Sequence, residues 1–108
     1  MAESYRPPAA VARAARRALD IRAKLPPSRK AGTPVGVRRA SQLASREAVS
    51  LDTIKRMVSF FARHGASPGS AEARRDQNSK AAQAWGLWGG NAGRSWARRI
   101  LRQQEPRS

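Results

Sequence analysis

The sequence predicts an all-α fold of four to five short helices in one compact domain. No stretch alternates polar and apolar residues with the β-branched side chains of a strand. Apolar residues instead recur at spacings of three and four, the period of a helix with one buried face. Paired breakers punctuate the chain at Pro7–Pro8, Pro26–Pro27 and Gly89–Gly90.

The first helix is expected over about Ala9–Lys24. Proline at its start costs nothing, because the first N–H groups of a helix have no partner. Val11, Ala14, Ala15, Ala18, Leu19 and Leu25 form its apolar stripe and leave Arg13, Arg16, Arg17 and Lys24 exposed. Residues 26–32, PPSRKAG, read as a basic loop. Thr33 is the expected N-cap of a second helix, with Pro34 at its first position and an end near Ser45. Val37, Ala40, Leu43 and Ala44 are its apolar positions, with Arg38 and Arg39 between them.

Ser50 then caps a third helix in which Leu51, Ile54, Met57, Val58 and Phe61 share a face. Asp52 sits in the first turn, where the helix dipole favours an anion, and Gly65 is a natural stop. Residues 65–79, GASPGSAEARRDQNS, read as a polar linker. A short fourth helix is expected over about Lys80–Trp88. Asn91 is the expected cap of a last helix that runs to about Gln103. The domain is thus 9–103, with flexible ends at 1–8 and 104–108.

Charge is the strongest functional signal. Twenty-two Lys and Arg, eighteen of them Arg, face seven Asp and Glu, for a formal charge of +15. Such an excess repels itself, and a polyanionic partner accounts for it. The cations are not a tail: the net charge is +6 over residues 1–30, +4 over 31–64 and +5 over 65–108. They lie among apolar residues at helical spacing, so they belong to folded faces. The absence of cysteine excludes disulfides and thiolate metal sites. No apolar run approaches the roughly 20 residues of a membrane span, and the N-terminus does not read as a secretory signal.

Residues 43–56, LASREAVSLDTIKR, follow the register of a helix-turn-helix, so a corner of that kind is expected over 36–64. Leu43, Ala44, Val49, Ser50, Thr53 and Ile54 hold the expected offsets. Glu47 stands where a small residue packs, however, and Ala48 stands where glycine makes the turn. Leu51 and Asp52 are poor base readers; only Lys55 and Arg56 suit DNA. An ordinary helical corner capped by Ser50 is the preferred alternative.

His64 is the only histidine and reads as a helix-end residue, since it has no partners for a zinc site. No local signature of a nucleophile or of paired acids appears. Trp85, Trp88 and Trp96 read first as core and second as platforms for unpaired bases. Gly86, Gly89, Gly90 and Gly93 indicate a tight corner with close backbone approach; their spacing fits no phosphate loop.

Three blocks, GTPVGVRRASQLAS, VSLDTIKRMVSFFARH and AWGLWGGNAGRSWA, together resemble a short module of tailed phages and prophages found with prohead-protease and head-morphogenesis proteins. The module's blocks look like GGTxVGxARAxxLxN, SxDTVxRMxSYFxRHExD and IAWxLWGGDxGxxWA, and the likeness spans roughly residues 10–101. The resemblance implies a setting of genome handling or head assembly and assigns no catalytic role. Two positions depart from the pattern: Gly65 replaces its Glu and Asn91 its Asp, each removing a negative charge.

The expected function is therefore non-enzymatic binding of nucleic acid, DNA before RNA, dominated by phosphate contacts. The expected contacts are Arg13, Arg16, Arg17, Arg38, Arg39, Lys55, Arg56, Arg94, Arg98, Arg99 and Arg102. No cofactor, metal, membrane or small-molecule substrate is expected, and the expected location is the host cytoplasm or the virion. The alternatives are docking on acidic surfaces of a phage head or scaffold protein, and sequence-specific regulation through the helix-turn-helix.

Overall fold

The computed structural model describes residues 4–66 and 68–104. Within them the chain forms six α-helices: α1 (Ala9–Lys24), α2 (Pro34–Ala44), α3 (Leu51–Gly65), α4 (Ser70–Ala73), α5 (Lys80–Leu87) and α6 (Gly90–Gln104). The all-α class follows directly. Local chemistry sets most boundaries. The Thr33 hydroxyl accepts from the Gly36 N–H at 3.1 Å and so opens α2. The Ser50 hydroxyl accepts from the Thr53 N–H at 3.2 Å and opens α3, whose first turn holds Asp52 and whose last holds Arg63 and His64. Ser79 does the same for α5 through the Ala82 N–H. Pro26 and Pro27 stop α1 and start a single 3-10 turn, Pro27–Arg29.

Five local expectations are corrected. A two-residue antiparallel pair joins β1 (Ser4–Tyr5) to β2 (Val49–Ser50), too short to leave a period in the sequence. The expected flexible N-terminus, 1–8, is therefore tied down over residues 4–8: Pro7 is buried, and the Arg46 Nε donates to the Pro7 carbonyl at 2.8 Å. The polar linker 65–79 contains the one-turn α4, pinned where the Ser70 hydroxyl donates to the Gly65 carbonyl and the Ser79 hydroxyl to the Ala73 carbonyl. Asn91 does not cap α6. That helix begins at Gly90, and the Asn91 Oδ1 accepts from the Trp85 Nε1 at 2.9 Å. Gln104, placed in the flexible tail, ends α6, while the rest of that tail, 105–108, lies outside the described residues, as do 1–3.

α1 is the central helix. It packs on α2, α5 and α6, while α3 packs on α6. The core combines Val11, Ala15 and Ala18 of α1 with Leu43, Ile54, Met57, Phe61, Leu87, Trp96 and Ile100. The α5–α6 corner is built for close approach. A Cβ on Gly86 would lie 2.7 Å from the Ala18 Cβ, and one on Gly93 would lie 2.6 Å from the Trp88 carbonyl oxygen. Gly89 and Gly90 take φ of 105° and 64°, the left-handed region that glycine alone enters without strain.

The helix-turn-helix register is not reproduced between α2 and α3. The left-handed residue is Arg46, with φ 55°, and not Ala48, where that motif places its turn glycine. α2 packs chiefly on α1 and α3 chiefly on α6. The segment is a capped corner.

Gln83 is a further feature of the fold with no signal in the sequence. Its side chain is 1 % exposed and fully bonded. It accepts from the Ala31 N–H at 2.9 Å and donates to the carbonyls of Arg29 and Asn78 at 3.0 and 2.9 Å. It thereby clasps the basic loop to α5.

A Cβ on Gly89 would stand 2.9 Å from both the Val11 Cγ1 and the Gly93 Cα, at a φ that alanine resists. Gly89→Ala is expected to destabilise the protein by about 2–4 kcal/mol. Urea unfolding should show this as a lower midpoint with an unchanged m-value.

Candidate nucleic-acid interface

Ten of the eleven expected contacts fall into three groups, and Arg94 stands apart. Arg13, Arg16 and Arg17 line a shallow depression on the outer face of α1 with Lys24, and Asp20 lies among them. Arg98 and Arg102 of α6 flank Val58 and Leu101, with Arg99 exposed nearby on the same helix. Arg38, Arg39, Lys55 and Arg56 gather where α2 meets α3. Arg94 is half-buried and its Nε is enclosed without an acceptor, with its guanidinium 6.0 Å from the Trp85 ring centre. It belongs to the protein's interior more than to its surface.

The α2–α3 group is the most elaborated. A groove of about 390 Å³ is lined by Asp52, Lys55, Arg56, Ser59, Phe60, Arg63 and Trp88. The α3 members recur at i, i+3, i+4, i+7, i+8 and i+11, so they share one face. Arg63 is a member that the sequence reading missed, although its spacing from Arg56 marks it. Aromatic rings back the groove. Phe60 stacks nearly parallel on Trp88, with centres 5.0 Å apart and planes 15° apart, and also on His64 at 4.1 Å. The His64 Nδ1–H donates to the Phe60 carbonyl at 2.9 Å, the helix-end role expected of it.

Arg39 stands beside this stack. Its guanidinium lies 5.8 Å from the Trp88 ring centre, and its Nη1 donates to the Gln42 Oε1 at 2.6 Å. The Nε is buried with no acceptor. Burial first, then the charges of Arg56 and Arg38, hold its guanidinium below the ordinary arginine range. It remains a cation at any physiological pH. The protein thus holds three guanidinium groups within electrostatic reach of one another.

Elsewhere cations serve the fold. Arg22 donates to the Ala31 carbonyl at 2.7 Å and Lys30 to the Arg22 carbonyl at 2.6 Å, which folds the basic loop onto α1. Arg17 donates to the Gln77 Oε1 at 2.8 Å, so one expected contact is partly committed. Arg74, a second omission of the sequence reading, lies 3.7 Å over the Trp85 ring. These donated bonds end on neutral oxygens, so the charge of the donors is not neutralised. The core reading holds for Trp85 and Trp96, both 6 % exposed, whereas Trp88 is half-buried.

Among the described residues, no three His, Cys, Asp or Glu side chains converge to hold a metal, and no helix is long and apolar enough to cross a membrane. No protein-family model, curated protein or solved structure matches this chain.

Arg56→Gln removes a like charge from beside Arg39. At low ionic strength it is expected to raise the melting temperature by about 1–3 °C, the scale of a few tenths of a kcal/mol in a domain this size. The gain should shrink as salt screens the repulsion. A scan of thermal unfolding against salt measures it.

Proposed function

We propose that the protein binds nucleic acid without catalysis, through phosphate contacts made by its arginine-rich helix faces. The observation that carries this reading is the cluster of Arg38, Arg39, Arg56, Lys55 and Arg63 at the α2–α3 junction, with Asp52 as the single carboxylate lining its groove. Guanidinium groups hold phosphate oxygens in a planar fork, and clustering them costs stability that a bound polyanion offsets. The resemblance of the three sequence blocks to a tailed-phage module supports a role in genome handling or head assembly. DNA is favoured over RNA on that ground.

A second reading, docking on an acidic capsid or scaffold surface, draws on one observation. Val58 and Leu101 line one depression together with Arg98 and Arg102, which combines apolar area with positive charge. A regulator that reads a duplex through α3 is disfavoured. Leu51 is half-buried, Thr53 is buried, and the Ser50 hydroxyl is spent on the cap.

Phosphate-dominated binding has a measurable signature. The logarithm of the affinity should fall linearly with the logarithm of salt concentration, by roughly 0.9 per phosphate neutralised on duplex DNA. Lys55→Ala and Arg56→Ala should each reduce that slope by about 1 and weaken all sequences alike. Fluorescence anisotropy across a salt series tests this; an affinity that does not change with salt would rule out phosphate-dominated binding.

A further inference from the structure

We propose that the groove on α3 beside Trp88 takes an unpaired nucleotide of a single strand, with its base on the aromatic floor and its phosphate at the basic rim. This rests on the nucleic-acid reading above and names the form of nucleic acid the groove fits. The cavity of about 390 Å³ lies within the usual range for small-ligand sites.

The floor is preorganised. Trp88 and Phe60 both line the groove, their near-parallel stack fixes the indole, and His64 backs Phe60 in turn. Such a floor gains its energy from the π-face of a base. Duplex DNA keeps those faces inside its own stack and offers only phosphates and base edges. A single strand offers both a face and a phosphate. Neither of the other indoles is placed for this: Trp85 has Arg74 over its ring and its N–H committed to Asn91, and Trp96 is buried in the core.

The rim supplies the phosphate site. Lys55 and Arg56 share a turn of α3, Arg63 lies two turns further on, and Arg39 of α2 stands near Trp88 outside the groove's lining. With Nη1 bonded to Gln42 and Nε enclosed, Arg39 acts at the rim through its charge. Asp52, in the first turn of α3, repels a phosphate from its own end of the groove. The phosphate is thereby directed toward Arg39, Arg56 and Arg63, and the Asp52 carboxylate is left to accept from a base amino group.

Tryptophan fluorescence of the full chain, titrated with oligothymidylate of about 12 nucleotides and with the oligothymidylate–oligoadenylate duplex of equal length, tests the proposal. At moderate salt the single strand should bind about 10-fold or more tightly than the duplex and quench emission. Trp88→Phe keeps a π-face, so its affinity should fall no more than about 3-fold while most of the quench disappears. Trp88→Leu should weaken the single strand by about 10-fold and leave the duplex unchanged. Circular dichroism checks the fold of each variant, and the quench lost in Trp88→Phe decides the matter if Trp88→Leu does not fold. A quench retained in Trp88→Phe, or duplex binding as tight as single-strand binding, overturns this inference and leaves the nucleic-acid reading standing. Failure to bind either form overturns both.

Discussion

The close approach of α1 to the α5–α6 corner is the constraint on which the rest of the structure depends. Ala15 and Ala18 present α1's buried side almost without side chain, and Gly86, Gly89 and Gly90 answer from the corner. Bulk enters from elsewhere, as Ile54, Met57 and Phe61 of α3 and as Trp85, Trp96 and Leu87. An interior packed to this density tolerates neither an added methyl at the contact nor a void beside it. The corner also decides where the indoles go. Trp85 and Trp96 turn inward, while Trp88, the last residue before the paired glycines, emerges beside α2 and α3.

An interior assembled from small residues leaves long side chains to the surface, and here those are arginines. Where they serve the fold they bond to carbonyl and amide oxygens, as Arg22, Arg46 and Arg17 do. Such bonds fix geometry but leave the positive charge in place. Repulsion adds where helices bring cations together: burial first, and then the charges of Arg56 and Arg38, disfavour the Arg39 cation. A fold that holds these groups together is strained electrostatically in the free state and relieved by an anion. That links the packing of the corner to the proposed binding of phosphate.

Most helix boundaries were legible in the sequence because they are local. Thr33 with Pro34, Ser50 with Asp52, and Pro26 with Pro27 act within a few residues, and the structure places the ends where these residues imply. The features that escaped depend on residues distant in the chain. The pairing of Tyr5 with Val49 joins segments 44 positions apart and is too brief for a pattern. Gln83 looks like any helical glutamine until Arg29 and Ala31 fold over it. Asn91 has the chemistry of a cap but spends it on Trp85. The candidate site was legible to the same degree. Charge and spacing named Arg38, Arg39, Lys55 and Arg56, but only the tertiary structure separates them from Arg94, whose Nε is enclosed beside Trp85.

The central claim is that one junction, and not the basic surface at large, receives the polyanion. Amide hydrogen exchange with and without bound oligonucleotide tests it most directly. The account predicts added protection concentrated in α2, along α3 and around Trp88, with little change on the outer turns of α1 or the C-terminal half of α6. Protection centred on α1 and α6, or spread evenly over the helices, would contradict it.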